Sequence, residues 1–78
     1  MMYLATNRST DEQIRVRGTT IEEAAQHAIR RFCRDHPDVT AMRVTGTAGL
    51  SGIWQGYYWD SRLHAWNSTG PNVHVGRA

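Results

Sequence analysis

Lysine is absent from this 78-residue chain, cysteine and phenylalanine occur once each, proline occurs twice, and apolar runs are short. Each scarcity removes a class of protein. A lone cysteine, Cys33, permits neither an intrachain disulfide framework nor a thiolate metal cluster, so a reducing cytoplasm is the compartment the sequence suits. No stretch approaches the roughly 20 apolar residues of a bilayer span, and the first residues lack a basic segment followed by an apolar one. Neither a membrane helix nor a secretion signal is expected. Net charge is only +2, with nine arginines against seven acids, which is too little for a strong overall steering field. Attraction to nucleic acid or to an acidic partner has to come from local clustering.

What remains is a chain that should fold. Hydrophobic residues make up 40% of it and include three Trp and three Tyr, too much apolar material for a disordered segment. At this length one compact core is expected, and residues 1–78 read as a single domain. The clearest element is a helix over residues 21–36. Thr20 followed by Glu23 has the spacing of a capping box, which satisfies two orphan backbone donors reciprocally. Ile21, Ala24, Ala25, Ala28, Ile29, Phe32 and Cys33 recur at helical period, with Glu22, Glu23, Gln26, His27, Arg30, Arg31 and Arg34 on the other side. Pro37, which restricts His36 and lacks an amide donor, marks the stop.

Strands are expected at residues 2–8, 13–18, 39–46, 53–59 and 63–67. They are joined by a polar turn at 7–12, a glycine-containing connection at 46–52 and a tight turn at 60–62. The order is β-β-α-β-β-β, and the hairpin-like links favour an antiparallel sheet with the helix on one face, an α+β fold. Residues 68–78, with Gly70, Pro71, Asn72 and Gly76, read as a flexible tail.

Strand residues alternate between faces, so choosing the core residues also chooses what the uncovered face carries. With Ile14 and Val16 under the helix, Arg15 and Arg17 point away. Met42 and Val44 inward would send Arg43 to the same side. Gly56 beneath the helix turns Trp54 and Tyr58 inward and Ile53, Gln55, Tyr57 and Trp59 outward. Leu63 and Ala65 inward expose His64 and Trp66, and Leu4 inward adds Tyr3 to the bare face. The expected surface is basic and aromatic, a composition that serves protein interfaces and also stacks on bases. A purely structural role stays open, since cross-strand aromatic pairs stabilise small sheets and arginine stems cover them. A second candidate surface is the helix flank with His27, Arg30, Arg31 and Arg34, where Arg31 and Asp35 have the spacing of an ion pair.

No catalytic centre is expected. The glycines at 46, 49 and 52 lack the Gly-Lys-Ser/Thr ending of a phosphate loop, and Cys33 falls on the apolar stripe. The histidines at 27, 36, 64 and 74 have no metal-ligand spacing, so no metal and no cofactor is called for.

The passage Thr40-Ala41-Met42-Arg43-Val44, a glycine loop, Ile53-Trp54-Gln55-Gly56-Tyr57, a polar turn and then Trp66, set in the β-β-α-β-β-β order, resembles the small phage-encoded anti-CRISPR proteins that inhibit type I CRISPR-Cas systems. The resemblance spans residues 3–67. It implies a non-enzymatic inhibitor in the cytoplasm of an infected bacterium, attached to the Cascade surveillance complex on its backbone subunits and blocking target DNA sterically; a monomer is favoured, with pairing of a second copy at a sheet edge left open. Arg15, Arg17, Arg43, Tyr57, Trp59 and Trp66 would then form the contact set, with Arg30, Arg31 and Arg34 as a second contact. The alternative is a stand-alone nucleic-acid-binding module that uses the arginine and aromatic sheet face.

Overall fold

Thr20 and Glu23 start the helix as their spacing predicts. In a computed structural model describing residues 1–36, 38–46 and 50–78, Thr20 Oγ1 accepts from the Glu23 amide at 3.2 Å. The Glu23 carboxylate reaches back to the Thr19 amide at 3.2 Å and the Thr19 hydroxyl at 3.1 Å. The box therefore closes one residue further out than expected. The elements are β1 (Met2–Asn7), β2 (Gln13–Arg17), α1 (Ile21–Phe32), β3 (Thr40–Gly46), β4 (Gly52–Asp60) and β5 (Ala65–Arg77). This is the expected α+β order, with one helix on an antiparallel sheet.

The helix ends at Phe32, not at residue 36. The Cys33 amide still donates to the Ile29 carbonyl at 2.8 Å, but Cys33 has left helical angles, with φ −113 and ψ 61. Two further turns, from the His36 amide to the Cys33 carbonyl and from the Val39 amide to the His36 carbonyl, carry the chain back to the sheet. They deliver Val39 into the core at 1% exposure. Pro37, the expected stop, lies outside the described residues.

The five-stranded sheet has the order β2-β1-β5-β4-β3, with every neighbouring pair antiparallel. β5 is its central strand. Residues 68–77, expected as a flexible tail, are instead the greater part of β5. The first half of β5 pairs with the far end of β4, from Asp60↔Ala65 to Gly56↔Thr69. Its second half pairs on one side with Gly52–Trp54 of β4 and on the other with Tyr3–Asn7 of β1. Between the halves the register shifts, and Gly70 at φ 73 and Pro71 sit at that irregularity, where a missing amide donor is tolerated.

The core lies between this sheet and α1. Ala24, Ala25 and Ala28 let the helix approach closely, and Ile21 and Ile29 share one buried cluster with Ala5, Val16, Trp54, Val73 and Val75. β1 presents Tyr3, Ala5 and Asn7 to this side. Tyr3 therefore does not reach the bare face, and half-exposed Leu4 occupies it. Tyr3 stands across from Val16, and its hydroxyl donates to Met1 Sδ at 3.2 Å, so the phenol has a partner without reaching the other side.

One helix side chain also seals a sheet edge. The Gln26 amide donates to the Val39 carbonyl at 2.7 Å and accepts from the Ala41 amide at 2.8 Å, standing where a further strand's peptide would stand. Gln26→Leu keeps the bulk and removes both bonds, leaving two partly buried backbone groups unpaired. The expected cost is about 1–3 kcal/mol, or a Tm lower by roughly 5–15 °C. Thermal melts of the two proteins check this, and an unchanged Tm would show the clamp to be idle. Among the described residues no helix is long and apolar enough to cross a membrane.

Candidate protein-binding face

Which side chains the bare face carries is decided in β3, where the parity differs from expectation. Val39 is buried and Ala41 packs against the core, so the next residue of that parity, Arg43, also turns toward the helix side. Its guanidinium carbon lies 4.2 Å from the Trp54 ring centroid, and its Nη2 is 3.4 Å from Glu22 Oε1 on α1. Two glycines make the space. A Cβ at Gly46 would stand 2.7 Å from Arg43 Nη1, and one at Gly52 would collide with the same atom. Nη1 is buried with no hydrogen-bond partner among the described residues. Arg43 thus ties β3 to β4 and α1 by stacking and charge, and is not part of an outward basic cluster.

The same parity sends Met42 and Val44 outward, at 52% and 53% exposure. The β3–β4 register shifts between Arg43 and Thr45, leaving Val44 as the extra residue of a bulge. On β4, and at Ala65 and Trp66 of β5, the expected parity holds. Trp54 is buried beneath the helix, Tyr58 is half-buried, and Tyr57 and Trp59 lie on the other side. Trp59 and Trp66 are register partners, 50% and 60% exposed, with ring centroids 5.6 Å apart and planes at 69°, an edge-to-face pair. Tyr57 is held along the face by donating from its hydroxyl to Gln55 Oε1 at 3.1 Å. A groove of about 610 Å³ runs between the β3 edge and the β4–β5 hairpin, lined by Thr40, Met42, Arg43, Val44, Tyr57 and Trp66.

The hairpin is held by Asp60, whose Oδ1 accepts from the Arg62 amide at 2.9 Å and whose Oδ2 accepts from Asn67 Nδ2 at 3.2 Å. Leu63, expected inward, is in this turn and exposed. His64 sits beside it at φ 49, and so belongs to the turn and not to a strand face.

Arg15 and Arg17 do point to the bare side, as alternation predicts, but they are not beside the aromatic pair. They lie on β2, with β1, β5 and β4 intervening before β3. Arg15 stands across from Leu4, and Leu4 across from Gly76, ten residues along β5 from Trp66, a separation of about 30 Å along the strand. Arg30, Arg31 and Arg34 form a separate exposed group around the end of α1. Arg34 Nε donates to the Arg31 carbonyl at 3.4 Å, and no ion pair joins Arg31 to Asp35, because the helix stops before it can align them.

No family model and no curated protein matches the chain. Its chemistry therefore has to be read from its own groups. Cys33 is buried, and that burial pushes its thiol above the ordinary value, which keeps it protonated and unreactive near neutral pH. Among the described residues no three His, Cys, Asp or Glu side chains come together as metal ligands. The structure thus gathers Tyr57, Trp59 and Trp66, adds Met42 and Val44, which sequence reasoning placed in the core, and removes Arg43. The buried Val39 was the signal that would have reversed the β3 assignment.

Proposed function

We propose that this chain is a non-enzymatic inhibitor that docks onto another protein through the β3–β4–β5 end of its bare sheet face, and that the partner is a type I Cascade surveillance complex whose target-DNA path it blocks sterically. The carrying observation is the set of exposed apolar side chains Met42, Val44 and Trp66 around one groove, with Trp59 packed edge-to-face on Trp66, on a sheet face that the helix leaves uncovered. Large apolar and aromatic groups clustered in this way mark interaction surfaces, and Trp, Tyr and Met are enriched in them. The resemblance of residues 3–67 to type I anti-CRISPR proteins supplies the partner class. A monomer acting in the cytoplasm of an infected bacterium completes this reading.

The arrangement favours a protein over nucleic acid. A groove that tracks single strands sets positive charge beside its stacking rings. Here Arg43 is turned inward, Arg15 and Arg17 are at the far corner, and Asp35 and Asp38 lie near the rings.

The test is direct association. Purified chain mixed with type I Cascade complexes is expected to co-elute with one of them and to abolish its binding to target DNA. Failure to associate with any type I complex removes that partner. Binding of free oligonucleotide that weakens steeply with salt would favour the nucleic-acid module instead.

A further inference from the structure

Past the pairing of Thr40 with Tyr57, β4 runs on through Tyr58, Trp59 and Asp60 beyond the start of β3, and Asp35, His36 and Asp38 lie beside it. A notch of about 410 Å³ opens there, lined by Asp35, His36, Asp38, Tyr58, Trp59 and Trp66. The His36 ring is stacked on Tyr58, with centroids 4.2 Å apart and planes at 14°, which fixes one wall. The edge-to-face indoles of Trp59 and Trp66 form another. Asp35 and Asp38 are exposed, and neither makes an ion pair among the described residues, although the chain carries nine arginines.

Two independent attractions therefore converge on one ligand chemistry. Aromatic faces are electron-rich and draw cations, and unpaired carboxylates do the same by charge. The stem of a long basic side chain also has apolar wall to lie against, which a hydrated metal ion does not use. Phosphates and acidic peptides are repelled.

We infer that this notch is an anchor subsite for an arginine or lysine side chain of the partner protein. The inference rests on the docking reading and specifies its chemistry. Trp66 lines both the notch and the apolar groove, so the two form one continuous surface. The matching partner surface is a basic side chain flanked by apolar residues. Proteins that hold nucleic acid present such basic groups to phosphates. A notch that captures one of them competes with the nucleic acid for the same side chain.

The test uses the whole chain and N-acetyl-arginine amide as probe, read by the indole N–H resonances of Trp59 and Trp66. The neutral isostere N-acetyl-citrulline amide is the control, and buried Trp54 reports an intact fold. Saturable shifts with the arginine probe are expected. They should weaken about tenfold with citrulline, with Asp35→Asn combined with Asp38→Asn, and on raising the salt. Should the double variant misfold, Asp38→Asn alone and the salt series read the same quantity. Equal shifts with citrulline, a titration indifferent to the carboxylates, or tighter binding of an oligothymidylate at the same indoles would overturn the anchor. The two readings fail separately. Arginine binding without Cascade association removes the named partner and keeps the anchor. Cascade association unaffected by Asp35→Asn with Asp38→Asn removes the anchor and keeps the docking face.

Discussion

A chain that stops at Asn67 will not fold. Residues beyond that point supply Val73 and Val75, both fully buried, and all of the pairing between β5 and β1. Without them β1 and β2 lose, among the described residues, their connection to β3 and β4 within the sheet, because β5 stands between the two pairs. Burial of each valine contributes about 1.5–3 kcal/mol, and the lost ladder exposes further backbone groups. Against a total stability of about 5–10 kcal/mol for a domain of this size, the loss is decisive. Far-UV circular dichroism and a urea titration are expected to show no cooperative transition for the truncated chain. A sigmoidal transition at near-native midpoint would mean that residues 68–78 are dispensable, as a tail would be.

Replacing Trp59 and Trp66 together by Ala is expected to have the opposite profile. Both rings are at least half exposed, so the fold loses little beyond their mutual contact, about 0.5–1.5 kcal/mol. Partner affinity should fall by about 100-fold or more, since paired indoles at the centre of an interface are the side chains whose truncation costs most. Arg43→Ala should do the reverse. It removes the stack on Trp54 and the contact with Glu22, lowering stability by about 1–2 kcal/mol, while changing association much less than the tryptophan pair does, although Arg43 also borders the groove. Melting curves and equilibrium binding of the two variants separate the structural residue from the contact residues.

The fold class and the helix start were legible because they depend on local signals: the Thr20–Glu23 spacing, the alanine-rich stripe, and polar turns between short apolar runs. The missed features depend on contacts distant in sequence. Gly70 and Pro71 look like the end of structure, and only the partners on both sides, β1 and β4, show them to be an irregularity within a central strand. Alternation determines which residues share a face but not which face is covered. In β3 the larger side chains, Met42 and Val44, suggested one answer, while Val39 and Ala41, which the structure packs inward, required the other. An inward Arg43 needs room from Gly46 and Gly52, a ring from Trp54 and a carboxylate from Glu22. None of these is adjacent to it in the chain. Tyr3 misled for a related reason, because either Tyr3 or Leu4 satisfies the pattern of β1 and only its pairing with Val16 decides.

In the proposed docking, the apolar groove and its indole pair, not the arginines, carry recognition. Affinity for a type I Cascade complex measured side by side for Trp59→Ala with Trp66→Ala and for Arg15→Ala with Arg17→Ala tests it most directly. The tryptophan variant is expected to lose association and the arginine variant to keep it within about threefold, as distant surface charges should. Retained binding by the tryptophan variant, with loss in the arginine variant, would contradict it.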